Sequence, residues 1–174
     1  MTSYPKLRLI LGYLILLYGI IYTVEAGIQY SWIVFLCGIT ILLIHFRFGA
    51  VWGAFRQLKI GNIEKAEQLI HHIKRPEWLA RRARAYFFLV EGISALHSQD
   101  LDTGKEALTK ALDMGIRSDT DQGLAMINLA QIYFLEKDYE QSDKWLAKGL
   151  KLQADLNLLK RMEEMQKTVH QKLN

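Results

Sequence analysis

The chain has 174 residues, of which 51% are apolar, and it carries a formal net charge of +4 with a single cysteine. This length is sufficient for a domain with its own apolar core, and the lone Cys37 excludes an intrachain disulfide framework or a thiolate metal cluster. The apolar residues are crowded into the first quarter of the chain, so the average composition conceals two unlike parts.

Two uncharged apolar stretches occupy the N-terminal quarter. No Asp, Glu, Lys or Arg occurs from Leu9 to Val24 or from Ala26 to Phe46, and runs of this length predict helices that cross a bilayer. We therefore expect residues 1–46 to form a transmembrane hairpin, with spans at about 7–24 and 28–46. A secretory signal that is cleaved near Ala26 is the competing interpretation.

Cations flank both stretches but are missing between them. Lys6 and Arg8 precede the first stretch, whereas Arg47, Arg56 and Lys59 follow the second. Because Lys and Arg are retained on the cytoplasmic side of membranes, this distribution predicts that both ends of the hairpin are cytoplasmic.

Three later segments repeat at a constant offset, which separates Asn62 from Asp100 and Asp100 from Asp138. Each of these three residues can cap a helix start, because its side-chain oxygen accepts from free backbone N–H groups. Apolar residues at helical spacing follow each cap and surround one small residue, which is Ala66, Gly104 or Ser142. Self-similarity of this period predicts an all-α fold of stacked helical hairpins, which usually bind other proteins.

The repeat resembles the tetratricopeptide repeat (TPR) family, whose units are two antiparallel helices. The third unit carries the clearest resemblance, in Leu129-Ala130, Tyr133, Lys137-Asp138-Tyr139-Glu140, Ser142, Leu146 and Gly149. The period is a few residues longer than is usual for the family, and the proline that usually closes a unit is missing. The resemblance implies a right-handed solenoid within residues 47–153, with units at about 48–75, 76–115 and 119–153.

A C-terminal helix is expected over residues 154–174. Apolar side chains recur there at intervals of three and four, at Leu156, Leu159, Met162, Met165 and Val169, with polar residues between them. A stacked array exposes its last apolar face, and a helix with one polar side can cover that face. We therefore interpret this segment as a capping helix.

The resemblance also assigns a partner groove, because the first helices of TPR units line it. Counted from the small residues Gly92 and Ala130, the groove consists of Tyr86, Leu89, Ile93, Leu96, His97, Ile127, Asn128, Gln131, Phe134 and Leu135. An open groove this apolar would be an interaction site. Alternatively, the first unit or the C-terminal helix covers some of these groove residues. Some family members clamp a chaperone tail with Lys and Asn side chains at set positions, and only Asn128 of this chain is in a comparable position.

The densest group of cations follows the first unit and consists of Lys74, Arg75, Arg81, Arg82 and Arg84. This group is a candidate contact for a membrane surface or an acidic partner, and a plain solvated face is the alternative. Binding of nucleic acid is not expected, because the aromatic residues that follow the cations fit the apolar core positions of the second unit.

No catalytic, cofactor or metal site is expected. The five histidines lie at positions 45, 71, 72, 97 and 170, and no two have the helical spacing that metal sites favour. A glycine-rich phosphate loop and a nucleophile with its base are also missing from the pattern. The sequence therefore predicts a protein that is not an enzyme.

The expected function is a membrane-anchored scaffold for protein–protein interaction, with its groove in the cytoplasm. Resemblance to small two-span repeat proteins implies an integral, multi-pass protein of a bacterial inner membrane, and an organelle outer-membrane receptor is the alternative. The alternative function is an accessory docking subunit of a transport or envelope-enzyme membrane complex. The expected partners are an unidentified protein and the lipid bilayer. A homo-oligomer through the Gly49 and Gly53 pair stays open.

Overall fold

The computed structural model describes residues 5–26, 28–48 and 50–173, and it contains no β-strand within these ranges. The all-α part of the predicted fold class is therefore confirmed. The elements are α1 (Pro5–Ala26), α2 (Ile28–Phe48), α3 (Val51–Lys59), α4 (Ile63–His71), a 3-10 turn (Pro76–Trp78), α5 (Arg81–His97), α6 (Leu101–Met114), α7 (Asp119–Leu135), α8 (Tyr139–Gly149) and α9 (Leu156–Leu173).

Helices α1 and α2 pack along each other as an antiparallel hairpin through glycines. A Cβ atom at Gly12 would lie 2.7 Å from Leu42 Cδ2, and one at Gly38 would lie 2.6 Å from Leu16 Cδ2. The glycines therefore allow the two helices to approach closely. Many large apolar side chains of the two helices face outwards and are exposed, including Leu17, Ile21 and Leu36.

The predicted transmembrane hairpin is wrong. Within the described ranges, no helix is long and apolar enough to cross a membrane. The prediction rested on missing charges, but an uncharged run also contains polar groups, such as the hydroxyls of Tyr13, Tyr18 and Thr23 in α1. This finding overturns the spans at about 7–24 and 28–46 and the multi-pass localisation in an inner membrane.

Two related predictions fall on parts of the chain that the structure leaves undescribed. Gly49, on which the homo-oligomer alternative depends, lies outside the described residues. The side chains of Lys6 and Arg8, on which the predicted orientation of the hairpin rests, lie outside them as well.

Beyond residue 50, the helices form three successive hairpins. Helix α3 packs with α4, α5 with α6, and α7 with α8. Helix α5 contacts α3 and α4 on one side and α7 on the other, so the hairpins are stacked in chain order. The first helices of the units, α3, α5 and α7, are therefore neighbours.

All three hairpins turn in the same way. Gly61, Gln99 and Lys137 have positive φ angles of 81°, 63° and 65°, and each precedes the cap of the next helix. The Gly61 N–H donates to the Leu58 carbonyl and the next N–H to the Gln57 carbonyl, and the same pair of bonds recurs at Gln99 and at Lys137. This arrangement is the Schellman motif, which satisfies free carbonyl groups at a helix end.

The caps that follow these turns confirm the predicted register. The Asn62 side chain accepts from the Lys65 N–H at 3.2 Å. The Asp100 side chain accepts from the Thr103 N–H and that of Asp138 from the Gln141 N–H, both at 3.1 Å. The constant offset in the sequence thus corresponds to one structural unit.

Small residues lie at the close contact between the two helices of the second and third units. A Cβ at Gly92 would lie 2.6 Å from Leu108 Cγ and 3.0 Å from the backbone N of Leu108, and one at Gly104 would lie 3.3 Å from the Gly92 carbonyl. In the third unit, the Ser142 hydroxyl donates to the Ala130 carbonyl at 2.9 Å. Gly53 does not have this role, because its nearest neighbour would be a methyl group at 3.8 Å.

The first helix of the second unit begins later than the predicted start of that unit at about residue 76. Pro76–Trp78 form a separate 3-10 turn, and α5 begins only at Arg81. The Arg84 guanidinium donates to the carbonyls of Pro76 and Leu79 at 3.1 and 3.3 Å. This side chain therefore stabilises a turn that local sequence preference alone does not predict.

Helix α9 covers the end of the stack. Leu158, Met162 and Val169 are buried and pack with Leu146 of α8 and Ile127 of α7. The Met162 methyl group also fills the space over Gly149, where a Cβ would lie 2.8 Å away. Helix α9 thus buries apolar residues of the third unit.

Candidate functional site

The predicted partner groove is divided by burial. Five of its ten residues are in the core and are not accessible to a partner, namely Tyr86, Leu89, Ile93, Leu96 and Ile127. Asn128 and Phe134 are half-buried, and His97, Gln131 and Leu135 are exposed. The first helices therefore pack more closely than an open groove requires.

The first unit covers the groove at Tyr86. The rings of Trp52 and Phe55 on α3 lie 4.8 and 4.7 Å from the Tyr86 ring, measured between centroids. The Tyr86 hydroxyl donates to Asp121 Oδ2 on α7 at 2.8 Å. These contacts join residues that are far apart in the chain, and the sequence contains no local signal for them.

Asp121 is the buried acceptor at the centre of this arrangement. Its Oδ2 accepts the hydrogen bond from Tyr86. Its Oδ1 forms an ion pair with Lys59 Nζ at 3.0 Å, but the geometry of this contact is not that of a hydrogen bond. Burial raises the pKa of Tyr86 above its usual value, and the hydrogen bond and negative charge of Asp121 raise it further. The Tyr86 hydroxyl is therefore a stable donor rather than a reactive group.

The end of the stack covers the groove at Ile127. Ile127 packs against Leu146 and residues of α9, and the ring of Phe134 makes an edge contact with Tyr139 at 5.4 Å. The alternative of cover by the C-terminal helix is thus correct for this part of the predicted groove.

One line of accessible residues remains on α7, at spacings of three and four. We call Leu124, Asn128, Gln131 and Leu135 the α7 strip. Gln131 and Leu135 are exposed, and Leu124 and Asn128 are half-buried. The Asn128 amide nitrogen donates to the Leu124 carbonyl at 2.7 Å, so the amide oxygen points away from that bond as an acceptor.

The predicted cationic group is divided between structural and exposed side chains. Arg84 holds carbonyls of the 3-10 turn, and Arg81 Nε donates to the Met114 carbonyl at the end of α6 at 3.2 Å. The Arg75 guanidinium lies 4.7 Å from the centre of the Trp78 ring. Lys74 and Arg82 form no ion pair with a described residue, and they are the part of the group that an acidic partner could contact.

A second concave surface, which the sequence did not indicate, lies between α4, α5 and the start of α6. We call this cavity of about 430 Å³ the α4–α6 cleft. Its apolar lining residues are Ile70, Ile73, Pro76, Phe87, Phe88 and Ala95. Its polar lining residues are Glu67, His71, Glu91, Ser94, Ser98, Asp100 and Thr103. Carboxylates are thus the main charged groups of the cleft.

Two groups of α5 in the cleft have unusual environments. Burial raises the pKa of Glu91, while the charge of Lys110 lowers it, that of Glu106 raises it and that of His71 lowers it. Ser94 is buried, and its hydroxyl has no hydrogen-bond partner among the described residues. Glu91 and Ser94 are three positions apart and therefore lie on the same side of α5.

The described residues contain no group of three or more His, Cys, Asp or Glu side chains that could hold a metal ion. The closest pairs are His71 with Glu67 at 3.4 Å and His170 with Asp143 at 3.0 Å. Both are pairs of one imidazole with one carboxylate, which is fewer ligands than a protein metal site normally uses.

Comparisons with protein-family models, with curated proteins and with solved structures found no match to this chain. The functional assignment therefore rests on the surfaces described above. These surfaces are the α7 strip and the α4–α6 cleft, both on the stacked hairpins.

Proposed function

We propose that the chain is a TPR-like scaffold for protein–protein interaction and that it binds a partner segment along the α7 strip. The observation that carries this proposal is the exposed end of the strip. Gln131 and Leu135 remain accessible on a first helix whose other faces are packed against neighbouring helices. In the TPR family, which the repeat pattern resembles, the first helices line the partner groove.

The strip has the size and chemistry to hold a short peptide segment. From Leu124 to Leu135 it extends about 16 Å along the helix axis, which matches about five residues of an extended chain. The leucines at its ends offer apolar contact area, and the amides of Asn128 and Gln131 can donate to and accept from a peptide backbone. The Asn128 amide is also held by its hydrogen bond to the Leu124 carbonyl, which lowers the entropic cost of binding.

Site-specific crosslinking in cells tests the proposal. We expect a photoreactive amino acid at position 131 to crosslink a defined protein, and the same amino acid at Lys144, an exposed position on α8, to crosslink none. Equal crosslinking from both positions would contradict the assignment of the strip.

Affinity for the crosslinked partner provides the quantitative test. Leu135→Asp places a charge on the strip, and we expect it to weaken binding by about tenfold or more, because the apolar contact is replaced by a solvated carboxylate. Leu156→Asp makes the same change at a leucine of α9 that is 74% exposed, and we expect it to leave the affinity unchanged. Equal effects of the two variants would exclude the strip as the binding surface.

A further inference from the structure

We propose that the α4–α6 cleft is a second binding site, which takes a partner-protein segment that carries one Lys or Arg flanked by apolar side chains. The cleft lies between α4, α5 and the start of α6, whereas the α7 strip lies on α7. This proposal therefore does not depend on the strip. Three observations carry it, namely the unpartnered Ser94 hydroxyl, the Glu91 carboxylate on the same side of α5, and the half-buried apolar residues that line the cleft with them.

Ser94 is the most informative residue of the cleft. Only 3% of its surface is exposed, and its Oγ has no hydrogen-bond partner among the described residues. A buried hydroxyl without a partner destabilises the folded state, and such groups are uncommon in folded proteins. Ser94 lines the cleft, but its Oγ has almost no accessible surface. A donor or acceptor that enters the cleft and displaces the neighbouring side chains can supply the missing hydrogen bond.

The charge of the cleft selects a cation as the entering group. Glu91 forms no ion pair with a described residue, because the nearby Lys110 pairs with Glu106 at 2.6 Å instead. Glu67 and Asp100 add carboxylates to the lining, and His71 is its only basic side chain. Burial raises the Glu91 pKa although the charges of Lys110 and His71 lower it, so a further cation within the cleft would stabilise the carboxylate.

The apolar residues of the lining favour a protein segment over a free amine as the occupant. Phe88, Ile73 and Pro76 are half-buried and line the cleft, whereas Phe87 is in the core with 6% of its surface exposed. A small polyamine would leave this apolar surface in contact with water, whereas apolar side chains next to a Lys or Arg would bury it. A volume of about 430 Å³ has room for one long side chain and parts of its neighbours.

A subtractive peptide selection identifies what the cleft binds. Random short peptides displayed on phage are first depleted on the purified Glu91→Gln variant, which removes peptides that bind elsewhere on the chain, and are then selected on the wild-type chain. We expect the retained peptides to contain a Lys or Arg flanked by apolar residues. Retention of no peptide, or of peptides without a cation, would overturn the proposal.

Matched variants locate the binding of a retained peptide, which is measured by fluorescence anisotropy. We expect Glu91→Gln to raise the Kd by about tenfold, because a charge-assisted hydrogen bond is lost. Glu163→Gln removes the same charge from an exposed side chain of α9 that does not line the cleft, and we expect a change of less than about twofold. Similar losses in the two variants would show nonspecific charge attraction and would contradict a site in the cleft.

Ser94→Ala separates binding from folding. Because the variant lacks the unpartnered hydroxyl, we expect its thermal unfolding midpoint to rise by a few degrees while its affinity for the retained peptide falls about fivefold. A structural role alone would not weaken peptide binding in a more stable protein. An unchanged affinity in this variant would overturn the role of Ser94.

Two further measurements exclude other occupants. Leu135→Asp, on the α7 strip, should leave peptide affinity unchanged, so that failure of this site and failure of the proposed function can be told apart. Sedimentation of the chain alone tests for self-association. We expect Glu91→Gln to abolish no self-association that the wild-type chain shows. If Glu91→Gln does abolish self-association, the occupant is a second copy of the chain and the proposal of a different partner is overturned.

Discussion

The Tyr86 hydroxyl on α5 donates a hydrogen bond of 2.8 Å to Asp121 on α7. This bond joins the second unit to the third, and Lys59 of the first unit pairs with the same carboxylate at 3.0 Å. One buried aspartate thus connects the first helices of all three units. The contact explains why the groove is closed at this level, since Tyr86 is held between α3 and α7 and does not face solvent.

Removing this hydroxyl should destabilise the stack. We expect Tyr86→Phe to lower the free energy of unfolding in urea by about 1.5–3 kcal/mol, because the lost hydrogen bond is made to a charged acceptor. Tyr139→Phe is the matched control, because Tyr139 contacts Phe134 through its ring. A loss as large in the control as at position 86 would show that the Asp121 bond contributes nothing specific.

The same bond predicts a loss of stability at alkaline pH. Because the pKa of Tyr86 is raised in the folded protein, its contribution is complete below the unfolded value of about 10 and declines as pH rises above it. Between pH of about 8 and about 10.5, the wild-type chain should therefore lose more stability than Tyr86→Phe. Urea unfolding of both proteins at these two pH values measures the difference, and parallel losses would contradict the prediction.

The cap at Asp100 predicts a sensitivity to acid. Hydrogen bonds from the side chain and backbone of Thr103 lower the Asp100 pKa, so its contribution is present above the unfolded value of about 3.9 and is lost as pH falls through the folded value. Asn caps helices as well as Asp does but does not titrate. We expect Asp100→Asn to lose less stability than the wild type from pH of about 6 to about 3 in thermal unfolding. Equal acid losses would count against this cap.

Gly53 of the first unit lies one residue away from the position that corresponds to Gly92 of the second unit. We expect the two glycines to respond oppositely to substitution by alanine. We expect Gly92→Ala to lower the free energy of unfolding by at least about 1–3 kcal/mol, because its Cβ would meet Leu108 at 2.6 Å. Gly53→Ala adds a methyl group at 3.8 Å from its nearest neighbour, and it should stabilise α3 by about 0.5–1 kcal/mol. Urea unfolding compares the two variants, and destabilisation by both would show that Gly53 also lies at a close helix contact.

The left-handed turns offer a stabilising substitution. Gln99 has a φ of 63°, a conformation that costs an L-residue about 1 kcal/mol and glycine very little. We therefore expect Gln99→Gly to raise the free energy of unfolding by up to about 1 kcal/mol. Gln131→Gly makes the same change within α7 and should lower it by about 1 kcal/mol. If both variants were destabilised, the turn geometry at Gln99 would be wrong.

The sequence alone determined the features that depend on residues close together in the chain. Asn62, Asp100 and Asp138 accept hydrogen bonds from residues three positions later, so the cap and its partner are visible in one short pattern. The left-handed turns were visible only at Gly61, because Gln99 and Lys137 adopt the same conformation without a glycine. Their geometry is imposed by the hairpin packing and not by local preference.

Only the tertiary structure decided which predicted surfaces are accessible. Tyr86 and Ile127 occupy the groove positions of the repeat, but α3 covers the first, and α8 and α9 cover the second. The α4–α6 cleft brings Glu67 of α4 and Glu91 of α5 together across two elements. Burial depends on neighbours that are distant in sequence, and a periodic pattern specifies which face of a helix is apolar but not what lies against it.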